Sequence, residues 1–99
     1  MNFTCISPEQ ADNLIAEKTV TLVDFRDKAS FLAAHIDNAV HLDNNNVQEF
    51  ISNQDKNTPV IIYCYHGISS QGAADFLAKQ GFKELYSVDG GFEHWKALR

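Results

Sequence analysis

Short runs of β-branched and aliphatic residues alternate along this chain with segments whose apolar positions recur every three or four residues. Phe3–Ile6 is expected to form a brief first strand. Ser7-Pro8-Glu9-Gln10 then has the layout of a helix start, with Ser7 as N-cap, Pro8 in the first turn and Gln10 placed to close a capping box. Ala11, Leu14 and Ile15 would line the buried face of that helix. Val20–Val23 reads as a strand ending at Asp24, and Asp27 as the N-cap of a short helix through Phe31 to Ala34. Val40–Leu42 is a brief extended stretch, and beyond the polar run Asp43–Asn46 a helix should turn Val47, Phe50 and Ile51 inward. Val60–Tyr63 is the most continuously apolar segment, the pattern of a central strand covered on both faces. Ser69 or Ser70 is expected to cap the next helix, which buries Ala73, Ala74 and Leu77 and stops at Gly81 as its C′ residue. Leu85–Val88 is the last strand, and Gly90-Gly91 turns the chain into a helix bearing Phe92, Trp95 and Leu98.

Strands separated by helices cannot be joined as tight hairpins. The pattern therefore predicts an α/β fold with a mostly parallel five-stranded sheet and helices on both faces. In open sheets of this kind the ligand crevice lies beyond the carboxyl ends of the strands. Asp24, Cys64 and Asp89 all fall at such ends.

The 99 residues suffice for a single domain, residues 1–99, with its own core. Thirteen acidic against eight basic side chains give a net charge of −5, so no nucleic-acid partner is expected, since a phosphate backbone calls for a basic surface. No apolar run approaches the ~20 residues of a membrane span, and no membrane partner is expected. Met1–Cys5 lacks the basic-then-apolar order of a secretory signal. Cys5 and Cys64 are accordingly expected to be free thiols in a reducing cytoplasm.

Cys64 is the chemically suggestive residue. It ends a strand and is followed by a short loop, Tyr65-His66-Gly67-Ile68-Ser69-Ser70, and then a helix. If the loop curls around the sulfur, the backbone N–H groups from Tyr65 to Ser69 form a nest for negative charge, and the helix beginning near Ser70 adds its positive end. Gly67 would supply the positive φ such a curl requires. Both effects favour thiolate over thiol. Taken alone, the segment fits a nucleophile and a small buried apolar group equally well. Cys64 and His66 would supply two metal ligands, but no Cys-x-x-Cys pair or paired histidines complete a tetrahedral set, so no metal is expected. A cysteine phosphatase needs an arginine six positions after its nucleophile to clamp the phosphoryl group. Ser70 stands there instead. Asp24 and Arg26 are placed for an ion pair that orders the loop, His35 and His41 for hydrogen-bonded scaffold roles, and Cys5 for a buried apolar one.

Four segments in order resemble the rhodanese family of sulfurtransferases. Leu22–Asp27 is similar to that family's strand ending in an Asp-x-Arg motif. Phe31–Leu42 is similar to a signature sharing Phe31, His35, Ile36, Ala39, His41 and Leu42, with glycines where this chain has Ala34 and Asn38. Tyr63–Ser70 resembles the active-site loop, and Val88–Trp95 the closing segment with two glycines and a tryptophan. Asn tolerates the left-handed region and Ala does not, so the turn at Ala34 is expected to be helical. The resemblance implies a rhodanese-like fold and a thiosulfate sulfurtransferase acting through a persulfide on Cys64, without a cofactor. It implies that Tyr65, His66, Gly67, Ile68, Ser69 and Ser70 bind a small anionic sulfur donor. The acceptor would be cyanide or a thiol, such as thioredoxin or another protein thiol. Many relatives carry an arginine near the end of the loop, and its replacement here by Ser69 and Ser70 implies weaker anion binding. The alternative is a non-catalytic rhodanese-type protein-binding module or a sulfur carrier.

Overall fold

Strands β1 (Thr4–Ile6), β2 (Thr21–Asp24), β3 (Val40–His41), β4 (Val60–Tyr63) and β5 (Leu85–Val88) alternate with helices α1 (Pro8–Glu17), α2 (Lys28–Ala33), α3 (Val47–Asn53), α4 (Ser69–Lys79) and α5 (Gly91–Lys96). The computed structural model, which describes residues 2–99, sets the strands in the order β1-β5-β4-β2-β3. Every neighbouring pair is parallel.

All four residues of β4 are buried, and their alternation divides the core. Ile61 and Tyr63 face Ile6, Ala11, Leu22, Val88, Phe92 and Trp95 beneath α1 and α5. Val60 and Ile62 face Phe50, Ala74, Leu77 and Phe82 beneath α3 and α4. Each such large side chain contributes about 1.5–3 kcal/mol by leaving water, so the sheet's two faces are tied to β4 before any polar contact is counted.

The helix ends follow their sequence signals at several points. Ser7 Oγ accepts the Gln10 N–H at 3.1 Å while the Gln10 side chain accepts the Ser7 N–H at 2.8 Å, a closed capping box. Asp27 caps α2 through the Ser30 N–H at 3.0 Å. Gly81, at φ 101°, follows α4 in the left-handed region, and Asn38, in the turn before β3, adopts the same region at φ 72°.

Other expectations need correction. Ser69 and Ser70 do not cap α4. The helix already includes both, and Ile68 stands at the N-cap position without a side-chain bond. Ala34 is extended, not helical, with φ −167° and ψ 139°, a backbone any residue adopts. Its carbonyl thereby turns inward to accept from the Arg26 guanidinium at 2.6 Å. Ile15 is exposed on α1, where Ala11 and Leu14 are the residues that pack onto the core beside Ile6 and Leu22. Leu98 lies beyond the end of α5 and is exposed, and Cys5 is half-buried.

From β2 the chain passes outward to β3, whereas from β4 it passes back to β5. The carboxyl ends of β2 and β4 therefore flank the switch point of the sheet, where connections diverge and a crevice opens.

Candidate active site

Asp24 is the last residue of β2, and Cys64 follows directly on β4. A buried carboxylate needs a partner. Arg26 supplies it, with Nε 3.0 and 3.1 Å from the two carboxylate oxygens and a terminal nitrogen 2.7 Å from one of them. Both side chains are buried. The Tyr63 hydroxyl also donates to Asp24, at 2.6 Å, and accepts the Ile36 N–H at 3.1 Å. The guanidinium lies 4.1 Å from the centre of the Phe92 ring and 5.4 Å from that of Tyr65. This polar cluster supports the loop from below. His41 and His35 hold backbone carbonyls, those of Arg26 at 2.6 Å and Phe31 at 2.7 Å, in scaffold positions.

The loop does curl around the sulfur. The N–H groups of Gly67 and Ser70 point at Cys64 Sγ from 3.2 and 3.3 Å, and Ser70 Oγ lies 3.3 Å away. Ser70, in the first turn of α4, also brings the positive end of that helix toward the sulfur. Burial pushes the Cys64 thiol up, but the hydroxyls of Ser69 and Ser70 and the N–H groups of Ser70 and Gly67 more than offset it. The net result is a pKa lowered to about 7.

Of the loop N–H groups expected to face the sulfur, from Tyr65 to Ser69, only that of Gly67 reaches it; the second comes from Ser70, one residue beyond the expected run. Those of Tyr65, His66, Ile68 and Ser69 have no acceptor among the described residues. Gly67 has φ 91°, as the curl requires, and a Cβ there would lie 2.8 Å from the Gly90 nitrogen. Cys64 itself is 2% exposed, whereas Ile68, at 78%, stands on the rim with Tyr65, His66 and Ser69. Tyr65 is strapped to α2, its hydroxyl donating to Asp27 at 2.6 Å and contacting Ser30 Oγ. That bond from Tyr65, with those from Ser30, lowers the Asp27 pKa to about 2.

One residue of the site escaped sequence reasoning. Ser87, in the middle of β5 and fully buried, places its hydroxyl 2.7 Å from Ser70 Oγ. Its signal was a small hydroxyl side chain between Tyr86 and Val88 in the last strand, two residues before Asp89.

A doubly wound parallel α/β domain that buries an acidified thiol inside a loop of inward N–H groups at its switch point defines the general class. The family model for the Rhodanese-like domain matches residues 7–98, and the chain belongs to that family. It is 52% identical over 95 residues to the thiosulfate sulfurtransferase GlpE of Pseudomonas putida, covering 96% of this chain and 86% of that protein. It is 49% identical over 94 residues to the GlpE of Vibrio cholerae, covering 95% and 89%. Among solved structures, a Rhodanese-like domain protein from Staphylococcus aureus matches with a TM-score of 0.83 and 24% identity, over 94% of this chain and 91% of that one. A Rhodanese-like domain from an Anabaena species matches with a TM-score of 0.84 and 21% identity, over 99% and 75%. These two likenesses establish the shared fold.

Proposed function

We propose that residues 1–99 act as one rhodanese domain that transfers a sulfane sulfur from thiosulfate, or a similar small anionic donor, to a thiol or cyanide through a persulfide on Cys64. The observation that carries this reading is the buried sulfur of Cys64, met by the N–H groups of Gly67 and Ser70 at 3.2 and 3.3 Å and seated at the switch point of the sheet. About half identity to curated thiosulfate sulfurtransferases over nearly the whole chain supports it.

In the first displacement the Cys64 thiolate attacks the outer sulfur of thiosulfate. A bond forms between the two sulfurs, the bond to the sulfonate sulfur breaks, and sulfite leaves with the electron pair, so charge is conserved. The 2% exposure of Cys64 favours a donor whose reacting atom is terminal and can pass the rim alone. The persulfide's outer sulfur then carries the negative charge, and the unpartnered N–H groups of Tyr65, His66, Ile68 and Ser69 are the donors available to hold it. In the second displacement an acceptor takes that outer sulfur and the Cys64 thiolate returns. Arg26 is committed to Asp24, so the donor is left to the free N–H groups of Tyr65, His66, Ile68 and Ser69 and the exposed Ser69 hydroxyl.

The exposed rim of Tyr65, His66 and Ile68 suits delivery to a protein thiol, thioredoxin or another. Two free cysteines suit a cytoplasmic setting. None of the described helices is long and apolar enough to cross a membrane.

Steady-state formation of thiocyanate from thiosulfate and cyanide tests the proposal. The expected result is parallel-line, double-displacement kinetics for the wild type and none for Cys64→Ser. Wild-type protein without turnover on any sulfane donor would leave a binding module instead.

A further inference from the structure

The loop's curvature has a second support, on the far side from the sulfur. The carbonyl oxygen of Cys64 accepts the Phe92 N–H at 2.7 Å, and that of Tyr65 accepts the Glu93 N–H at 3.2 Å. First-turn helix amides have no partner within their own helix. Here those of α5 are used to hold two loop carbonyls. A trans peptide sets C=O and N–H in opposite directions. Fixing the Cys64 and Tyr65 carbonyls against α5 therefore turns the N–H groups of Tyr65 and His66 away from it, and neither has an acceptor among the described residues.

The two glycines before the helix make the contact possible. A Cβ on Gly91 would lie 2.4 Å from the Cys64 carbonyl oxygen and 2.6 Å from the Tyr65 carbonyl group. A Cβ on Gly67 would in turn meet the Gly90 nitrogen at 2.8 Å and the Val88 carbonyl oxygen at 3.0 Å. Loop and turn are in contact backbone to backbone from both directions. Gly90, by contrast, has φ 75° like its neighbour at 60°, but the atoms a Cβ there would meet first belong to the side chain of His94.

We propose that Gly91 is a positioning residue for the sulfur site: its missing side chain lets the first turn of α5 hold the Cys64 and Tyr65 carbonyls outward, which presets the loop N–H groups for an anion before any donor arrives. The inference rests on Cys64 being the sulfur-accepting residue. It adds that Gly91, whose close contacts are with the loop backbone, sets the donor affinity and acidity of the loop.

The test compares Gly91→Ala with Gly90→Ala in the full chain. Both place an L side chain at positive φ and strain the turn, but the new methyl first strikes the loop backbone at position 91 and the His94 side chain at position 90. Two readouts are taken: the thiosulfate KM, and the pH midpoint of Cys64 alkylation by iodoacetamide, which needs no sulfur transfer. For Gly91→Ala the KM is expected to rise roughly tenfold or more, the scale of one lost hydrogen bond to a charged group, with kcat changing less. The alkylation midpoint should move up, and Gly90→Ala should show a clearly smaller change in both. Should Gly91→Ala fail to fold, Glu93→Pro decides. It deletes the N–H bonded to Tyr65 at an exposed position in the first turn of α5, and is expected to raise KM several-fold. A folded Gly91→Ala with unchanged KM and midpoint, a Gly90→Ala equal to it, or an unchanged KM in Glu93→Pro overturns the proposal. Wild-type protein that alkylates with a low midpoint yet accepts no sulfur would instead refute the proposed function.

Discussion

Replacing Ser70 by alanine isolates the hydroxyl contribution to the Cys64 thiolate. The side chain is fully buried, with Oγ 3.3 Å from the sulfur and 2.7 Å from Ser87 Oγ, while the Ser70 N–H keeps its own bond to sulfur in the variant. A hydrogen bond to a charged group contributes about 1.5–3 kcal/mol, and sulfur lies at or below the weak end of that range. One pKa unit corresponds to about 1.4 kcal/mol. The Cys64 midpoint should therefore rise from about 7 by roughly one unit. The rate of iodoacetamide alkylation against pH measures it. Stability changes by a separate route, since Ser87 Oγ loses its partner in a buried strand, at about 1–3 kcal/mol. Ser70→Ala/Ser87→Ala removes both hydroxyls and should recover part of that stability while leaving the midpoint raised. An unmoved midpoint in folded Ser70→Ala would refute the assignment of this hydroxyl, and a midpoint restored in the double variant would show that the change came from repacking.

Other outcomes follow from the same contacts. The Cys64 pKa is depressed from about 9 to about 7, so the thiolate's stabilising contribution is complete above the unfolded value and is lost as pH falls through 7. The stability difference between wild type and Cys64→Ser in urea should accordingly grow by about 2 kcal/mol between pH 7 and 9, and a flat difference would contradict the depressed pKa. Asp24→Asn leaves the buried Arg26 without its counter-charge and should destabilise the fold by about 3–5 kcal/mol in urea unfolding; a loss below 1 kcal/mol would mean the pair is dispensable. Tyr65→Phe should raise the Asp27 pKa toward the ordinary carboxylate range, read by NMR titration of its carboxyl carbon, and no movement would mean the strap is not formed in solution.

Much of this architecture was legible because its causes are local. Ser7 and Gln10 close a capping box three residues apart, Gly81 ends α4, and the unbroken apolar run Val60–Tyr63 becomes the central strand. The misreadings lie where a distant partner overrides a local rule. Ser70 looked like a cap, but its hydroxyl is engaged by Cys64 before it and by Ser87 seventeen residues later. Ala34 looked helical, but Arg26 draws its carbonyl inward and the backbone extends to meet it. In the candidate site, Cys64 and its loop were recognisable from a strand end, a glycine and a following helix. The second half of that loop's support, Ser87 and the Gly90-Gly91 turn, lies on the next strand and helix, and only the folded sheet brings it alongside.

The intact mass of thiosulfate-treated protein tests the central claim most directly. The wild type should gain one sulfur atom, mapped to the Cys64 peptide and removed by cyanide, while Cys64→Ser gains none. A wild-type chain that takes up no sulfur from any sulfane donor, or a Cys64→Ser chain that takes it up equally, would contradict a persulfide at this position.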